Sequence, residues 1–253
     1  MIGIFDSGSG GLSVLREIIK ILPREKYIYF ADNAFCPYGE KTPEFIQQRG
    51  RVVTDYLLSE GADIIVVACN TATAAAISTL RSEYDVKFIG MEPAVKPAAL
   101  SSETGVIGVL ATAGTLKGSK YLNTKGLYED NVRIEERVGQ GFVELVERGV
   151  LEGPEAERTV RDSLQPLLDS GADRIVLGCT HYPFLKDVIQ RLSGPSVQVI
   201  DPAPAVARHL LDVMEAEGLV REDGGPELPD VRLVASGDPG PSRALYQMII
   251  KNK

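Results

Sequence analysis

A repeated segment constrains this chain more than any other feature of its sequence. G-A-D-I-I-V-V-A-C-N-T-A occupies 61–72 and G-A-D-R-I-V-L-G-C-T-H-Y occupies 171–182, with the glycine and the cysteine both offset by 110 positions. Each apolar run is short and follows Gly-Ala-Asp, which is typical of a strand buried on both faces of a parallel sheet. We therefore expect Cys69 and Cys179 just beyond two strand ends, where open α/β sheets bind their ligands.

Segments typical of strands and helices alternate along the first half of the chain. Strands are predicted at 2–5, 27–30, 63–68 and 87–90, and helices at 12–22, 43–60 and 73–83. Thr42 is the expected cap of the second helix, with Pro43 at its first position. The intervening A-D-N-A-F-C-P-Y-G at 31–39 is predicted to lack regular structure. This alternation indicates a mostly parallel, doubly wound α/β sheet.

The second half begins the same order again. I-G-V-L-A-T at 107–112 parallels I-G-I-F-D-S at 2–7, and V-Q-V-I-D-P-A at 197–203 parallels V-K-F-I-G-M-E-P-A at 86–94. Chance similarity between βα-rich segments is the alternative, but three matched pairs in one order favour a duplicated α/β unit. A strand at 231–235 between helices at 204–217 and 241–252 completes the chain, and composition predicts a surface loop at 222–229.

Overall composition excludes several classes of protein. The 253 residues include 27 Lys plus Arg against 35 Asp plus Glu, a net charge of −8 that argues against nucleic-acid or anionic-membrane partners, although a local basic patch stays possible. No apolar run reaches the roughly 18 to 20 residues of a membrane span, so a cytoplasmic protein is expected. Three cysteines without C-x-x-C and two histidines predict reduced thiols rather than disulfides or a zinc finger.

The two repeated cysteines suit one particular reaction. If an approximate two-fold axis relates the halves, Cys69 and Cys179 face each other across a cleft, as two bases must when a proton leaves one face of a carbon and another arrives on the opposite face. A thiol with a pKa near 8.5 is mostly protonated at neutral pH, so it needs a neighbouring group to remove its proton before it can act as a base. Asp6 is placed to assist Cys69, and His181 to assist Cys179. A buried, inert thiol is the alternative for each cysteine alone.

Other residues near the strand ends offer hydrogen bonds to a ligand. The glycine loop G-S-G-G-L-S at 8–13 satisfies neither nucleotide-binding motif, but its N–H groups at a helix N-terminus suit a carboxylate. Side-chain donors follow the two cysteines, with helix capping as their alternative role, and C-P-Y-G is placed to close over a ligand unless it is an ordinary turn. These candidates are Asn70, Thr71, Thr180, His181, Tyr38 and Gly39. Cys36 and His209 are predicted to be structural, and Glu147 by itself to be a solvated helix carboxylate.

Six motifs, D-S-G-S-G-G-L, C-P-Y-G, A-C-N-T-A, I-G-V-L-A-T-A-G-T, L-V-E-R-G and G-C-T-H-Y-P, stand in an order that resembles the cofactor-independent aspartate/glutamate racemase superfamily over nearly the whole chain. The resemblance implies interconversion of L- and D-glutamate for peptidoglycan synthesis, without cofactor or metal, and a homodimer. With the repeat boundaries, it implies a first domain of 1–92 plus 205–253 and a second of 93–204, with the active site between them.

The same resemblance implies roles for individual residues. Cys69 takes the α-proton of D-glutamate and Cys179 that of L-glutamate, with Asp6 and His181 assisting. The matching substrate-binding positions are Asp6, Ser7, Tyr38, Gly39, Asn70, Thr71, Thr180 and His181, and Glu147 matches an auxiliary carboxylate near the site.

The residues alone leave four other functions possible in principle. The nearest alternative is a racemase of aspartate instead of glutamate, because the residue types do not show how long a substrate side chain the pocket accepts. A thiol redox protein is disfavoured by the lack of C-x-x-C. A metal site would use Cys69, Cys179, His181 and Asp6. A binding module would take up the amino acid without exchanging its α-proton.

Overall fold

The computed structural model describes residues 1–221 and 229–251. It contains two sheets, and every strand pairing within the described residues is parallel. The strands are β1 (Ile2–Asp6), β2 (Lys26–Ala31), β3 (Ile64–Val67), β4 (Lys87–Gly90), β5 (Val106–Ala111), β6 (Arg133–Val138), β7 (Arg174–Gly178), β8 (Gln198–Ile200) and β9 (Asp230–Ala235).

The two sheets share one topology. The first has the order β4-β3-β1-β2-β9, and the second, read in the same direction, has the order β8-β7-β5-β6. Each matched pair of sequence segments therefore falls on equivalent strands, β1 with β5, β3 with β7 and β4 with β8. The predicted duplicated, doubly wound α/β architecture is confirmed.

Helices connect and cover these strands. They are α1 (Leu12–Ile21), α2 (Pro43–Ser59), α3 (Asn70–Glu83), α4 (Val95–Ser101), α5 (Ala113–Leu116), α6 (Ser119–Gly126), α7 (Phe142–Glu147), α8 (Pro154–Asp169), α9 (Lys186–Ser193), α10 (Ala203–Ala216) and α11 (Gly240–Lys251). The predicted cap of α2 is confirmed, because Thr42 Oγ1 accepts the Phe45 N–H at 3.3 Å and Pro43 follows it. None of the described helices is long and apolar enough to cross a membrane.

Two predicted boundaries are wrong for local physical reasons. α3 begins at Asn70 rather than Thr73, because Cys69 Sγ accepts the Ala72 N–H at 3.5 Å and caps the helix three residues earlier. The segment 31–39 is not wholly irregular, since β2 continues to Ala31 and 3₁₀ turns form at Asn33–Phe35 and Tyr38–Glu40. The second turn begins immediately after Pro37.

The edge strand β6 was not predicted from the sequence. Its residues R-I-E-E-R-V are charged at four of six positions, and its side chains are exposed or half-buried. Such a composition is typical of an edge strand that is protected from pairing with other chains. Charge at this edge therefore hides the period-2 signal that marks a strand in sequence.

The C-terminal strand β9 pairs with β2, which adds a fifth strand to the first sheet. Since β9 follows all the strands of the second sheet, the chain crosses back between the sheets. The division at 92/93 and 204/205 stays a prediction, and of the predicted loop at 222–229 the positions 222–228 lie outside the described residues.

Candidate active site

The glycine loop after β1 is folded around the buried carboxylate of Asp6. Asp6 Oδ1 accepts the Ser7 N–H and Asp6 Oδ2 accepts the Gly11 N–H, both at 2.7 Å. The Ser9 N–H donates to Glu147 Oε1 at 2.6 Å. The loop therefore binds carboxylates, as its sequence suggests, and the two that it binds here are the protein's own, those of Asp6 and Glu147.

Cys69 lies at the end of the strand beside β1, where its side chain is 5 % exposed. Its thiol donates to Ser7 Oγ over 3.8 Å, and its Sγ caps α3. Burial raises the pKa of Cys69, the negative charge of Asp6 raises it further, and the Ala72 N–H lowers it by less. With its pKa well above the ordinary value, this group is a thiol in the resting protein.

Cys179 occupies the equivalent position after β7 but has different neighbours. Its Sγ lies 3.8 Å from His181 Nδ1, and His181 Nε2 lies 2.7 Å from Glu147 Oε1. Glu147 Oε2 also accepts a hydrogen bond from Ser9 Oγ at 2.9 Å. A thiol, an imidazole and a carboxylate thus form one connected row, and the prediction that Glu147 by itself is a solvated carboxylate is wrong.

The imidazole and the carboxylate of this row shift each other's titration. Burial lowers the pKa of His181, but its hydrogen bonds to Cys179, Cys36 and Glu147 outweigh burial and leave that pKa well above its ordinary value. Burial raises the pKa of Glu147, but hydrogen bonding to His181 and Ser9 leaves it below its ordinary value. The pair is therefore held as imidazolium and carboxylate at neutral pH.

Threonine hydroxyls join the two halves of the molecule across the cleft. Thr180 Oγ1 donates to Asp6 Oδ2 at 3.4 Å, and the Thr180 carbonyl accepts from Ser13 Oγ at 2.8 Å. Thr71 Oγ1 lies 2.9 Å from Thr112 Oγ1, which caps α5. Thr112 was missed as a site residue, although it occupies the position of Ser7 in the matched segments at 2–7 and 107–112.

The side-chain amide of Asn70 has an oxygen atom without a hydrogen-bond donor in the described residues. Its side chain is buried, and its Oδ1 accepts no hydrogen bond from the described part of the chain. A buried amide oxygen without a partner costs about 1 to 3 kcal/mol. A substrate ammonium group would satisfy this oxygen, and rotation of the amide would instead present its N–H groups to a carboxylate.

The C-P-Y-G loop lies against the cleft in a different way from the prediction. The Tyr38 hydroxyl donates to Asp32, which also pairs with Arg49 at 2.7 Å, so this hydroxyl is already used within the protein. Burial, followed by the charge of Asp32, raises the pKa of Tyr38. Gly39 lies so close to the second half that an added Cβ would stand 3.1 Å from Thr112 Cβ. The backbone here, rather than a phenol, approaches the second half.

A cavity of about 10 Å³ is lined by both cysteines, and it has the space of a single water molecule. It is lined by Ser7, Pro37, Tyr38, Gly39, Cys69, Asn70, Thr71, Thr112, Val143, Cys179, Thr180 and His181. Nine of the ten predicted substrate-binding and catalytic positions other than Glu147 are in this lining, and Asp6 and Glu147 lie directly behind it. An amino acid therefore enters only if the halves separate.

A larger open cleft of about 640 Å³ adjoins this cavity at Gly39 and Thr71. Neither thiol is in its lining. Cys69 and His181, whose pKa values are both raised, line the small cavity, which marks that cavity as the reactive site.

The metal-ligand set that was the alternative interpretation of the sequence is not assembled in the described residues. Among the residues that the structure describes, the one group of three ligand side chains with donor atoms all within 4.8 Å is Cys36, Glu147 and His181, rather than Cys69, Cys179, His181 and Asp6. The Cys36 thiol, predicted to be structural, was thus missed as a neighbour of the site. His209 is exposed on α10, away from this group.

Comparison with known proteins decides the family. A model of the Asp/Glu/hydantoin racemase family matches residues 2–210, which is most of the chain and includes both repeated cysteine segments. This chain belongs to the Asp/Glu/hydantoin racemase family. The resemblance read from the sequence motifs is thereby confirmed.

Individual members of this racemase family resemble the chain closely in sequence. The glutamate racemase of Methylococcus capsulatus is 51% identical over 225 residues, covering 89% of this chain and 83% of that protein. The glutamate racemase of Stutzerimonas stutzeri is 45% identical over 239 residues, covering 94% and 89%. These relatives are amino-acid racemases, which confirms the predicted enzyme class.

Solved structures of the racemase family share the fold. Glutamate racemase RacE1 of Bacillus anthracis superposes with a TM-score of 0.88 at 29% identity, over 99% of this chain and 94% of that one. The Francisella tularensis glutamate racemase in complex with D-glutamate gives a TM-score of 0.83 at 27% identity, over 99% and 93%. The predicted two-sheet α/β fold is thus that of its relatives.

Proposed function

We propose that this racemase interconverts L- and D-glutamate by proton transfer between two thiols, and that it supplies D-glutamate for peptidoglycan. One observation carries the proposal: Cys69 and Cys179 both line one small cavity, and each lies beside its own titratable group. The glutamate racemases among its relatives support the choice of substrate. The cytoplasm and a homodimer stay predictions.

In the proposed reaction, one thiol is deprotonated when substrate binds and the other stays protonated. From D-glutamate, the Cys69 thiolate takes the α-proton, and the Cys179 thiol then gives its proton to the opposite face of the α-carbon. From L-glutamate, the two thiols exchange these roles. One proton leaves the carbon and one arrives, so the reaction is balanced and each turnover leaves the thiols in reversed protonation states.

Asp6 and His181, which lie beside the two thiols, restore the original protonation states of the thiols after each turnover. Asp6 is the proposed acceptor for the proton of Cys69, since the proximity that raises the thiol's pKa also provides a base. His181 is the proposed partner of Cys179, and Glu147 fixes its ring through the 2.7 Å hydrogen bond. The Asp6 carboxylate thus acts as a base toward its thiol, whereas the His181 imidazolium stabilises the Cys179 thiolate and donates a proton to it.

The weak acidity of an amino-acid α-proton requires further stabilisation of the transition state. Charge develops on the α-carboxylate as the proton leaves, and the hydroxyls of Thr71 and Thr180, with the Asn70 amide, are the proposed donors to it. Closure of the halves to the observed cavity removes water from this charge. If Thr71→Ala and Thr180→Ala each left kcat unchanged, carboxylate stabilisation by these hydroxyls would be the wrong explanation.

The proposed activity is tested by ¹H NMR of L-glutamate in D₂O with the metal-free protein, together with optical rotation. We expect the α-proton signal to disappear while the optical rotation decays to zero, and L-aspartate to react much more slowly. Faster turnover of aspartate would change the assigned substrate. Exchange of neither amino acid, with glutamate still bound in a calorimetric titration, would identify a binding module instead.

A further inference from the structure

Cys36 is a third thiol at the site for which proton transfer has no use. It follows β2 in the loop before Pro37, on a different element from Glu147 of α7 and His181 of the turn after β7. Burial raises the pKa of Cys36, while the nearby His181 lowers it by less. The donor atoms of the three side chains all lie within 4.8 Å of one another.

We propose that Cys36, Glu147 and His181 form a binding site for a zinc ion, and that zinc bound there inhibits the enzyme. Thiolate, imidazole and carboxylate are the three side-chain ligands that Zn²⁺ takes in proteins. Three protein ligands leave one tetrahedral position for water. Zinc binding does not depend on the proposed racemisation, whereas the inhibition does.

The distances suit an ion of this size. Zn²⁺ bonds to sulfur at about 2.3 Å and to nitrogen or oxygen at about 2.0 to 2.2 Å, so its ligand atoms stand about 3.3 to 3.7 Å apart. The present separations extend from the 2.7 Å of His181 Nε2 and Glu147 Oε1 up to 4.8 Å. Shifts of about 1 Å in the side chains therefore bring all three donors to the ion.

The glycine loop leaves space beside this cluster. A Cβ added to Gly8 would lie 2.4 Å from Glu147 Oε1 and 3.0 Å from Cys36 Sγ. Any side chain at position 8 would thus fill the place where the carboxylate and the thiol come together. Glycine permits both to lie against the loop backbone.

Inhibition follows whichever imidazole nitrogen binds the ion. Zinc on Nε2 replaces the hydrogen bond to Glu147, and zinc on Nδ1 occupies the side of the ring that faces Cys179 at 3.8 Å. In both cases the bound ion prevents the ring from becoming imidazolium, so His181 no longer passes a proton to and from Cys179. Zinc therefore stops the side of the reaction that depends on Cys179, although Cys69 stays unbound.

The test compares Cys36→Ala with His209→Ala, because the exposed His209 offers an adventitious zinc site. Metal-free wild type and both variants are titrated with Zn²⁺ by calorimetry without substrate, and Co²⁺ is used to detect thiolate-to-metal charge-transfer absorption. We expect one zinc per chain in the wild type and in His209→Ala, with cobalt–thiolate absorption. Cys36→Ala is expected to weaken binding at least about tenfold and to lose that absorption.

Racemase assays with zinc and with a chelator complete the test. Cys36→Ala is expected to stay active with chelator present and to resist zinc concentrations that inhibit the wild type, with full recovery of the wild type on chelation. Equal zinc affinity of Cys36→Ala and the wild type, or loss of binding in His209→Ala alone, would overturn the site. Binding that needs Cys36 but leaves racemisation unchanged would overturn its inhibitory role.

Discussion

The turns after β3 and β7 each contain the cysteine of the repeat at the same position, but different residues surround the two cysteines. Cys69 caps a 14-residue helix and lies near a carboxylate, Asp6. Cys179 is followed by a 3₁₀ turn at Tyr182–Leu185 and faces an imidazole that is itself paired with Glu147. The duplicated fold thus fixes where the two thiols lie, while the neighbouring loops fix which acid or base assists each one.

The largest expected effect comes from removing either thiol. Cys69→Ser and Cys179→Ser should each lower kcat by at least about 10²- to 10⁴-fold, because a serine hydroxyl is a far weaker acid than a thiol and each turnover needs both groups. Cys36→Ala is the matched control, with kcat close to the wild type. Racemisation is followed by optical rotation. A large loss in one serine variant only would mean that a single base serves both faces.

Replacement of the assisting groups sharpens the contrast between the halves. Asp6→Asn and His181→Asn should each lower kcat about 10²-fold. Enantiomers have equal free energies, so kcat/KM must fall equally in both directions, but primary isotope effects can reveal which proton transfer has been slowed. With α-deuterated substrates, Asp6→Asn should raise the primary isotope effect measured with D-glutamate. His181→Asn should raise the primary isotope effect measured with L-glutamate. The same isotope effects in both variants would refute separate assistants.

The Glu147–His181 pair makes the stability of the second half depend on pH. The raised pKa of His181 supplies stability that is complete below its unfolded value of about 6.5 and is lost as pH rises through the folded value. The lowered pKa of Glu147 supplies stability that is complete above about 4.3 and is lost as pH falls through the folded value. Both contributions are complete between about pH 4.3 and 6.5.

In that window Glu147→Gln should reduce the free energy of unfolding by about 1.5 to 3 kcal/mol, the range for a hydrogen bond between charged groups. The loss should shrink at higher pH. Urea denaturation at several pH values measures it, with Glu144→Gln as the control, because Glu144 is exposed on the same helix. A loss that is independent of pH would contradict an ion pair.

The smallest effects test how closely the glycine loop approaches the second half. A Cβ on Gly10 would lie 2.4 Å from His181 Nδ1, so Gly10→Ala should displace the ring, lower kcat and cost about 1 to 3 kcal/mol of stability. At Gly126, no atom lies within 4 Å of the added Cβ. Gly126→Ala should therefore be neutral or stabilising by up to about 1 kcal/mol, as thermal denaturation would measure. Equal effects would show that the loop adapts freely.

The repeated motifs were sufficient to predict strands β1, β3 and β4 of the first sheet, β5, β7 and β8 of the second, and both thiol positions, because buried parallel strands have continuous apolar runs. The position of Glu147 was available only through the family resemblance. Its row with His181 joins residues 34 positions apart, and no local pattern encodes that approach.

Cys36 and the pairing of Tyr38 with Asp32 were not predicted for a similar reason. Cys36 has no counterpart in the repeat, and its approach to His181 depends on the path of one loop across the cleft. The C-P-Y-G motif does not predict that the tyrosine hydroxyl donates a hydrogen bond to Asp32, which also pairs with Arg49. Contacts between separate loops, unlike strand positions, follow from the tertiary fold.

Exchange of the α-proton in D₂O, measured by NMR with each enantiomer separately, tests the two-thiol mechanism most directly in Cys69→Ser and Cys179→Ser. Residual exchange in Cys69→Ser should favour L-glutamate with retention of configuration, because Cys179 still reaches that face. Residual exchange in Cys179→Ser should favour D-glutamate in the same way. Racemisation at the wild-type rate in either variant, or the same enantiomer preferred by both, would contradict two thiols acting on opposite faces.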